Sequence, residues 1–118
     1  MRITRESINE LYPNTAYVIK NDSVLEILDD TVVSYEDIVQ KVAELEYQEE
    51  VKEYQRQRAA EYPHYADQFD QIFHEGIDTW KATILDVKRK YPKQVMQPEV
   101  LEEKKRQALA DLEASRAE

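Results

Sequence analysis

Cysteine is absent from this 118-residue chain, which excludes disulfides, thiolate metal ligands and thiol nucleophiles and fits a reducing compartment or a particle assembled in one. Glycine occurs once, at Gly76, so no Gly-rich loop can cradle a phosphate and no flexible nest can hold an oxyanion. One glycine and 4 prolines are also too few for the turns of an all-β fold, and helix is expected to dominate. No apolar run approaches the roughly 20 residues that span a bilayer, and the N-terminal stretch has no apolar signal core, so a soluble protein is expected. Cations are outnumbered, 16 Lys and Arg against 25 Asp and Glu. The net charge of -9 makes nucleic acid and anionic membranes poor partners. The length suits one modest domain whose core alone would stabilise it only marginally.

What is present reads as α+β, mainly α. Residues 1–34 carry a short helix with Thr4 as N-cap, Ile8 and Leu11 at helical spacing and Pro13 as a stop. AYVIK and SVLEIL follow, rich in β-branched residues and parted by Asn21-Asp22, a pair that tolerates positive φ, so they predict a β-hairpin. Such a hairpin is marginal alone and must lie on a helix or pair with another chain's sheet edge. Residues 35–62 form a long helix, with Ser34 and Asp37 close to a capping box. Its stripe Tyr35, Ile38, Val42, Leu45 breaks phase and resumes as Tyr47, Val51, Tyr54, Arg58. The first half is expected under the hairpin, and the second projects as a polar stalk or coiled-coil seam. Pro63 ends this helix.

Residues 63–94 read as a helical hairpin: Tyr65, Phe69, Ile72 and Phe73 on one helix, Trp80, Ile84, Val87 and Tyr91 on the next, and Gly76 as a left-handed residue between them. The two stripes are expected to face and bury each other. Residues 95–118 have few large aliphatics on a charged background and read as a solvated helix or a frayed tail. By segment, Pro63 to Gln94 balances five cations against five anions, and every other segment is acidic.

Asp67, Asp70 and His74 share helical spacing and could be drawn as a three-ligand metal face. The same residues are equally the wet side of a helix whose other side is aromatic, with Asp67 favouring its N-terminus. Pairs such as Glu49-Glu50 and Asp29-Asp30 lack the cleft that acid–base chemistry needs. Lys88, Arg89, Lys90 and Lys93 sit where cations complement a helix C-terminus, or could dock an acidic partner. Neither an enzyme nor a cofactor or metal is expected. The candidate partner-binding residues are Tyr47, Val51, Tyr54, Phe69, Phe73 and Trp80.

RAAEYPHYADQFDQIFHEGIDTWKATILDVKRKYPK, Arg58 to Lys93, resembles a segment of small tail-fibre and baseplate-associated proteins of tailed bacteriophages. Arg58, Glu61, Tyr62, Pro63, Asp67, Gln68, Asp70, Ile72, Phe73, Trp80, Ile84, Val87, Lys88, Tyr91 and Pro92 carry the likeness. Tyr65, Ala66 and Phe69 depart from it, altering packing volume. Upstream, INELYPNTAYVIKNDSVLEILDDTVVSYEDI is similar to the first part of the same proteins. The resemblance implies a virion tail protein made in the host cytoplasm, an adaptor that contacts a tail fibre or baseplate protein and forms a homo-oligomer. The alternative it implies is a fibre assembly chaperone absent from the finished particle.

Overall fold

The computed structural model describes residues 2–117. It is α+β and mainly α, with α1 (Arg5–Leu11), β1 (Tyr17–Lys20), β2 (Val24–Ile27), α2 (Tyr35–Glu61), α3 (Tyr65–Glu75), α4 (Ile77–Lys90) and α5 (Pro98–Arg116) in chain order. The chain divides into two units, Met1–Glu49 with Met96–Glu118 and Glu50–Val95, and the division falls inside α2.

In the first unit α1 and α2 start where their capping chemistry dictates. Thr4 Oγ1 accepts from the Ser7 amide at 3.3 Å and opens α1, and Ser34 Oγ accepts from the Asp37 amide at 3.3 Å at the head of α2. The strands pair antiparallel, with Lys20 opposite Val24 and Tyr17 opposite Ile27. Asn21 and Asp22 turn the chain at φ 54° and 59°, and the Ser23 amide donates to the Lys20 carbonyl at 3.2 Å. Alternation puts Leu25 on the inner side of the hairpin, where it joins Ile3, Ile8, Ile38 and Val42 in one buried cluster. The hairpin therefore lies on the first half of α2, as its spacing predicts. Asp29 fixes the strand exit by accepting from the Ala16 and Thr31 amides, both at 2.9 Å. These bonds, the one from Ala16 foremost, hold its carboxyl below the usual carboxylate range. Tyr12 Oη accepts from the Ser34 amide at 2.9 Å, tying the end of α1 to the start of α2.

The C-terminal segment is the charged helix that one of its two readings expects, not a frayed tail, but it is seated on the unit and not free in solvent. α5 lies antiparallel along α2, pinned by Arg116 on Glu36 at 2.7 Å, by Lys104 over the Tyr47 ring at 5.4 Å, and by Tyr47 Oη accepting from the Gln97 amide at 2.9 Å. Leu112 is buried in this unit, and the register brings it level with buried Val39. A narrow stripe of Leu101, Ala108, Leu109 and Leu112, helped by the stems of Lys104 and Lys105, seats the helix. Its charged residues fill the remaining surface.

In the second unit α3 and α4 make a hairpin joined by Gly76 alone, which closes the first helix and opens the second. Its φ of 92° is positive as expected, but ψ of 167° takes it out of the left-handed helical region into one that essentially only glycine occupies. A Cβ built there meets nothing within 4 Å, so any penalty is pure backbone strain. Gly76→Ala is expected to cost about 2 kcal/mol, read as a lowered unfolding midpoint for this unit; an unchanged midpoint would show that the turn relaxes freely.

Candidate functional site

The helical hairpin buries a different face from the one its hydrophobic pattern suggests. Between α3 and α4 the side chains that meet are largely polar. Trp80 Nε1 donates to Gln68 Oε1 at 3.0 Å, and Gln71 Nε2 donates to Thr83 Oγ1 at 2.8 Å. Gln68 also uses its amide, donating from Nε2 to the Pro63 carbonyl at 2.7 Å, so one side chain ties the chain entering α3 to the indole of α4. Ile72, Trp80 and Ile84 are half-buried and Val87 is buried. A helix that turns Gln68, Gln71 and Ile72 inward must carry residues 65, 69 and 73 about a quarter-turn away.

That leaves Tyr65, Phe69 and Phe73 at 78%, 68% and 84% exposure. The expectation that they pack inside the hairpin is corrected: they form an aromatic stripe at i, i+4, i+8 that no part of the described chain covers. Ile77, at the start of α4, is exposed as well. The Phe73 ring meets the His74 ring edge-on at 5.0 Å.

The open end of the hairpin is held by residues of the Arg58–Lys93 segment. Arg58 Nε donates to the Tyr91 carbonyl at 2.8 Å and its Nη2 to the Lys88 carbonyl at 3.2 Å, so one guanidinium serves the last turn of α4. The same guanidinium lies 4.9 Å from the centre of the Tyr54 ring. Three residues on, Glu61 Oε1 takes Lys90 Nζ at 2.7 Å and accepts the Tyr91 hydroxyl. The Lys90 bond, and then the Tyr91 bond, hold the Glu61 carboxyl below its ordinary range. The same contact with Glu61 pushes the Tyr91 phenol up. The spacing of arginine, glutamate, lysine and tyrosine in this segment is thus that of a clamp between the C-terminal ends of two helices.

The six candidate partner-binding residues do not converge. Phe69 and Phe73 lie together on the exposed stripe, with Tyr65 as a third member that the sequence reading assigned to packing. Trp80 is half-buried and its N–H is engaged with Gln68. Tyr47 and Tyr54 are buried and Val51 is half-buried, so the expectation that the second half of α2 projects as a polar stalk or coiled-coil seam is corrected. Tyr47 is covered in the first unit beside Gln97 and Lys104, and Tyr54 lies in the second unit beneath Arg58. Asp67, Asp70 and His74 are exposed, and no group of three potential ligands able to hold a metal ion occurs among the described residues. No described helix is long and apolar enough to cross a membrane. No protein-family model, no curated protein and no solved structure matches the chain.

Proposed function

We propose that this chain is a bacteriophage tail protein, an adaptor or accessory of the tail fibre or baseplate that works by protein–protein contact and not by catalysis. The observation that supports contact as its mode of action is the α3 stripe of Tyr65, Phe69 and Phe73. Three neighbouring rings exposed on one helix amount to several hundred Å² of apolar surface, a size that marks interaction sites on soluble proteins. The tail setting comes from the resemblance of Arg58 to Lys93, whose arginine, glutamate and tyrosine form the clamp on α4, the helix paired with the one that bears the stripe.

Mass spectrometry of purified particles from a phage encoding the chain is expected to find it in fixed ratio to a fibre or baseplate protein. Consistent absence from infectious particles overturns the adaptor and gives the same surface to the assembly chaperone. Phe69→Asp with Phe73→Asp is expected to lower incorporation at least tenfold, the loss of about 1.4 kcal/mol or more of binding. Both side chains are exposed, so the helical content should not change. Full incorporation of the double variant removes the stripe from the proposal.

A further inference from the structure

We infer that the outer edge of β1 is a docking site for an extended segment of another protein, which adds a third strand to the hairpin and brings a carboxylate to Arg5. This surface lies in the first unit and is independent of the α3 stripe and of the tail setting. Tyr17 to Lys20 pairs with Val24 to Ile27, and the Leu28 amide donates to the Ala16 carbonyl at 2.8 Å. Bonded positions alternate along an antiparallel ladder, so Ala16, Val18 and Lys20 turn their backbone groups towards β2. The N–H and C=O groups of Tyr17 and Ile19 point away from it, and no described residue bonds to them. The other edge is partly occupied, because Tyr35 Oη donates to the Leu25 carbonyl at 3.3 Å. Of the devices that keep natural edges single, β1 has only shortness. It contains no proline and no bulge, and its one charge, on Lys20, is held by Glu26 at 3.0 Å.

Two outward positions give few backbone bonds, so a partner strand also needs side-chain contacts. A hollow of about 500 Å³ against this edge supplies them, with Arg5 and Asn9 of α1, Tyr17, Val18 and Leu28 in its lining. Arg5 and Asn9 stand one turn apart on the same face of α1. Asn9 Oδ1 accepts from Tyr17 Oη at 2.8 Å, which leaves its Nδ2 without an acceptor, and the Arg5 guanidinium has no partner among the described residues. No acid lines this hollow. Glu6 and Asp22 border a neighbouring one that Arg2 and Arg5 share, Glu10 meets Lys41 at 3.5 Å, and the Asp29 carboxylate is taken up by the Ala16 and Thr31 amides. Two adjacent donors with no anion of their own fit a carboxylate. Val18 and Leu28 are exposed, and Ala16, which Leu28 faces across the ladder, is too small to cover that leucine. Side chains of an added strand alternate between faces, so its acid beside α1 and its apolar residue beside Val18 are neighbours in sequence. A second copy is the wrong occupant: pairing β1 with β1 brings another Arg5, no acid for either, and another -9 of charge.

A library of random heptapeptides selected on the full chain supplies the probe, keeping only peptides that also bind the Phe69→Asp, Phe73→Asp chain and so do not use α3. Enriched peptides are expected to hold Asp or Glu next to an apolar residue. Arg5→Glu should weaken them on the order of 10-fold and should itself select Lys or Arg at that place. Arg5 is exposed, so circular dichroism should show the fold of this variant unchanged. Residue-resolved hydrogen exchange separates strand addition from side-chain docking. Bound peptide should slow the Tyr17 and Ile19 amides on the order of 10-fold and leave Val18, already turned to β2, as it was. The proposal is overturned if no peptide is enriched, if selection is indifferent to Arg5→Glu, or if bound peptide leaves those two amides unprotected. Protection of Tyr17 and Ile19 that rises with chain concentration, without peptide, gives the edge to a second copy and overturns it as well.

Discussion

Leu112→Ala is expected to destabilise the unit built on α2 and α5 by roughly 3 kcal/mol. Leu112 is 2% exposed on a helix half of whose residues are charged, and it is the one large apolar side chain of α5 that is fully buried, with Leu109 one turn before it only half-buried. The contacts of Arg116 with Glu36 and of Lys104 with Tyr47 align it with Val39 across the helix pair. Those polar contacts are exposed or peripheral and each adds little, which leaves the leucine as the main apolar anchor of the C-terminal half of α5. Hydrogen exchange resolved by segment is the suitable measurement, because a chain of two units need not unfold in one step. Amides of α5 should lose on the order of 100-fold in protection. Val39→Ala should give a similar but smaller loss, and the double change should cost less than the sum, since both sides of one contact are then gone. Unaltered protection in Leu112→Ala would return the segment to a solvated helix.

This anchor was the hardest part of the fold to read in the sequence, for a physical reason. Most of the first unit is governed by local chemistry, and local chemistry is visible: the caps at Thr4 and Ser34, the left-handed pair Asn21-Asp22, and the alternation that buries Leu25. The seating of α5 depends on a second stripe of α2 made of Val39, Ala43 and Tyr47, four residues apart and running beside Ile38 and Val42. Followed as a single stripe, the pattern breaks phase at Tyr47. Followed as two, it is continuous from Val39, and it predicts a second neighbour along the first half of α2. On α5 the matching stripe is narrow and partly built from lysine stems, which hydropathy counts as solvent-facing.

The helical hairpin misleads in the opposite direction. Its strongest apolar pattern, Tyr65, Phe69 and Phe73, is outside, and its interior is organised by Gln68 and Gln71. Amphipathic spacing says that a helix has an apolar face, but not whether its own chain or another covers it. A glutamine at an inward position reads as surface until its partner is known. The indole N–H of Trp80 is such a partner, since a half-buried donor of this kind requires an acceptor. Phe69 and Phe73 were legible as candidate contact residues, whereas Tyr65 was hidden by the assumption that the hairpin closes on itself.

The clamp at the open end of that hairpin leads to the other large effect: Arg58→Ala is expected to destabilise the second unit by about 3 kcal/mol. Two carbonyls of the last turn of α4, on Lys88 and Tyr91, lose their guanidinium donor together, and the Tyr54 ring loses the cation stacked on it. A charged donor to a backbone carbonyl is worth more than a neutral one, and helix C-terminal carbonyls have no partner of their own to fall back on. Arg58→Lys should recover less than half of the loss. An ammonium can meet one carbonyl, but it cannot span both while lying flat on a ring. The comparison with Glu61→Gln separates this clamp from simple ion pairing. Glu61 is exposed where it meets Lys90 and Tyr91, so its replacement should move the transition far less than Arg58→Ala does, and that small effect should fade in high salt. The Arg58 effect should be nearly independent of salt, because its acceptors are uncharged. Chemical denaturation followed by Trp80 fluorescence reads this unit directly, since the only tryptophan of the chain lies in α4. An Arg58→Ala chain whose Trp80 transition stays in place would mean that water replaces the guanidinium without penalty, and the clamp would then be an incidental contact.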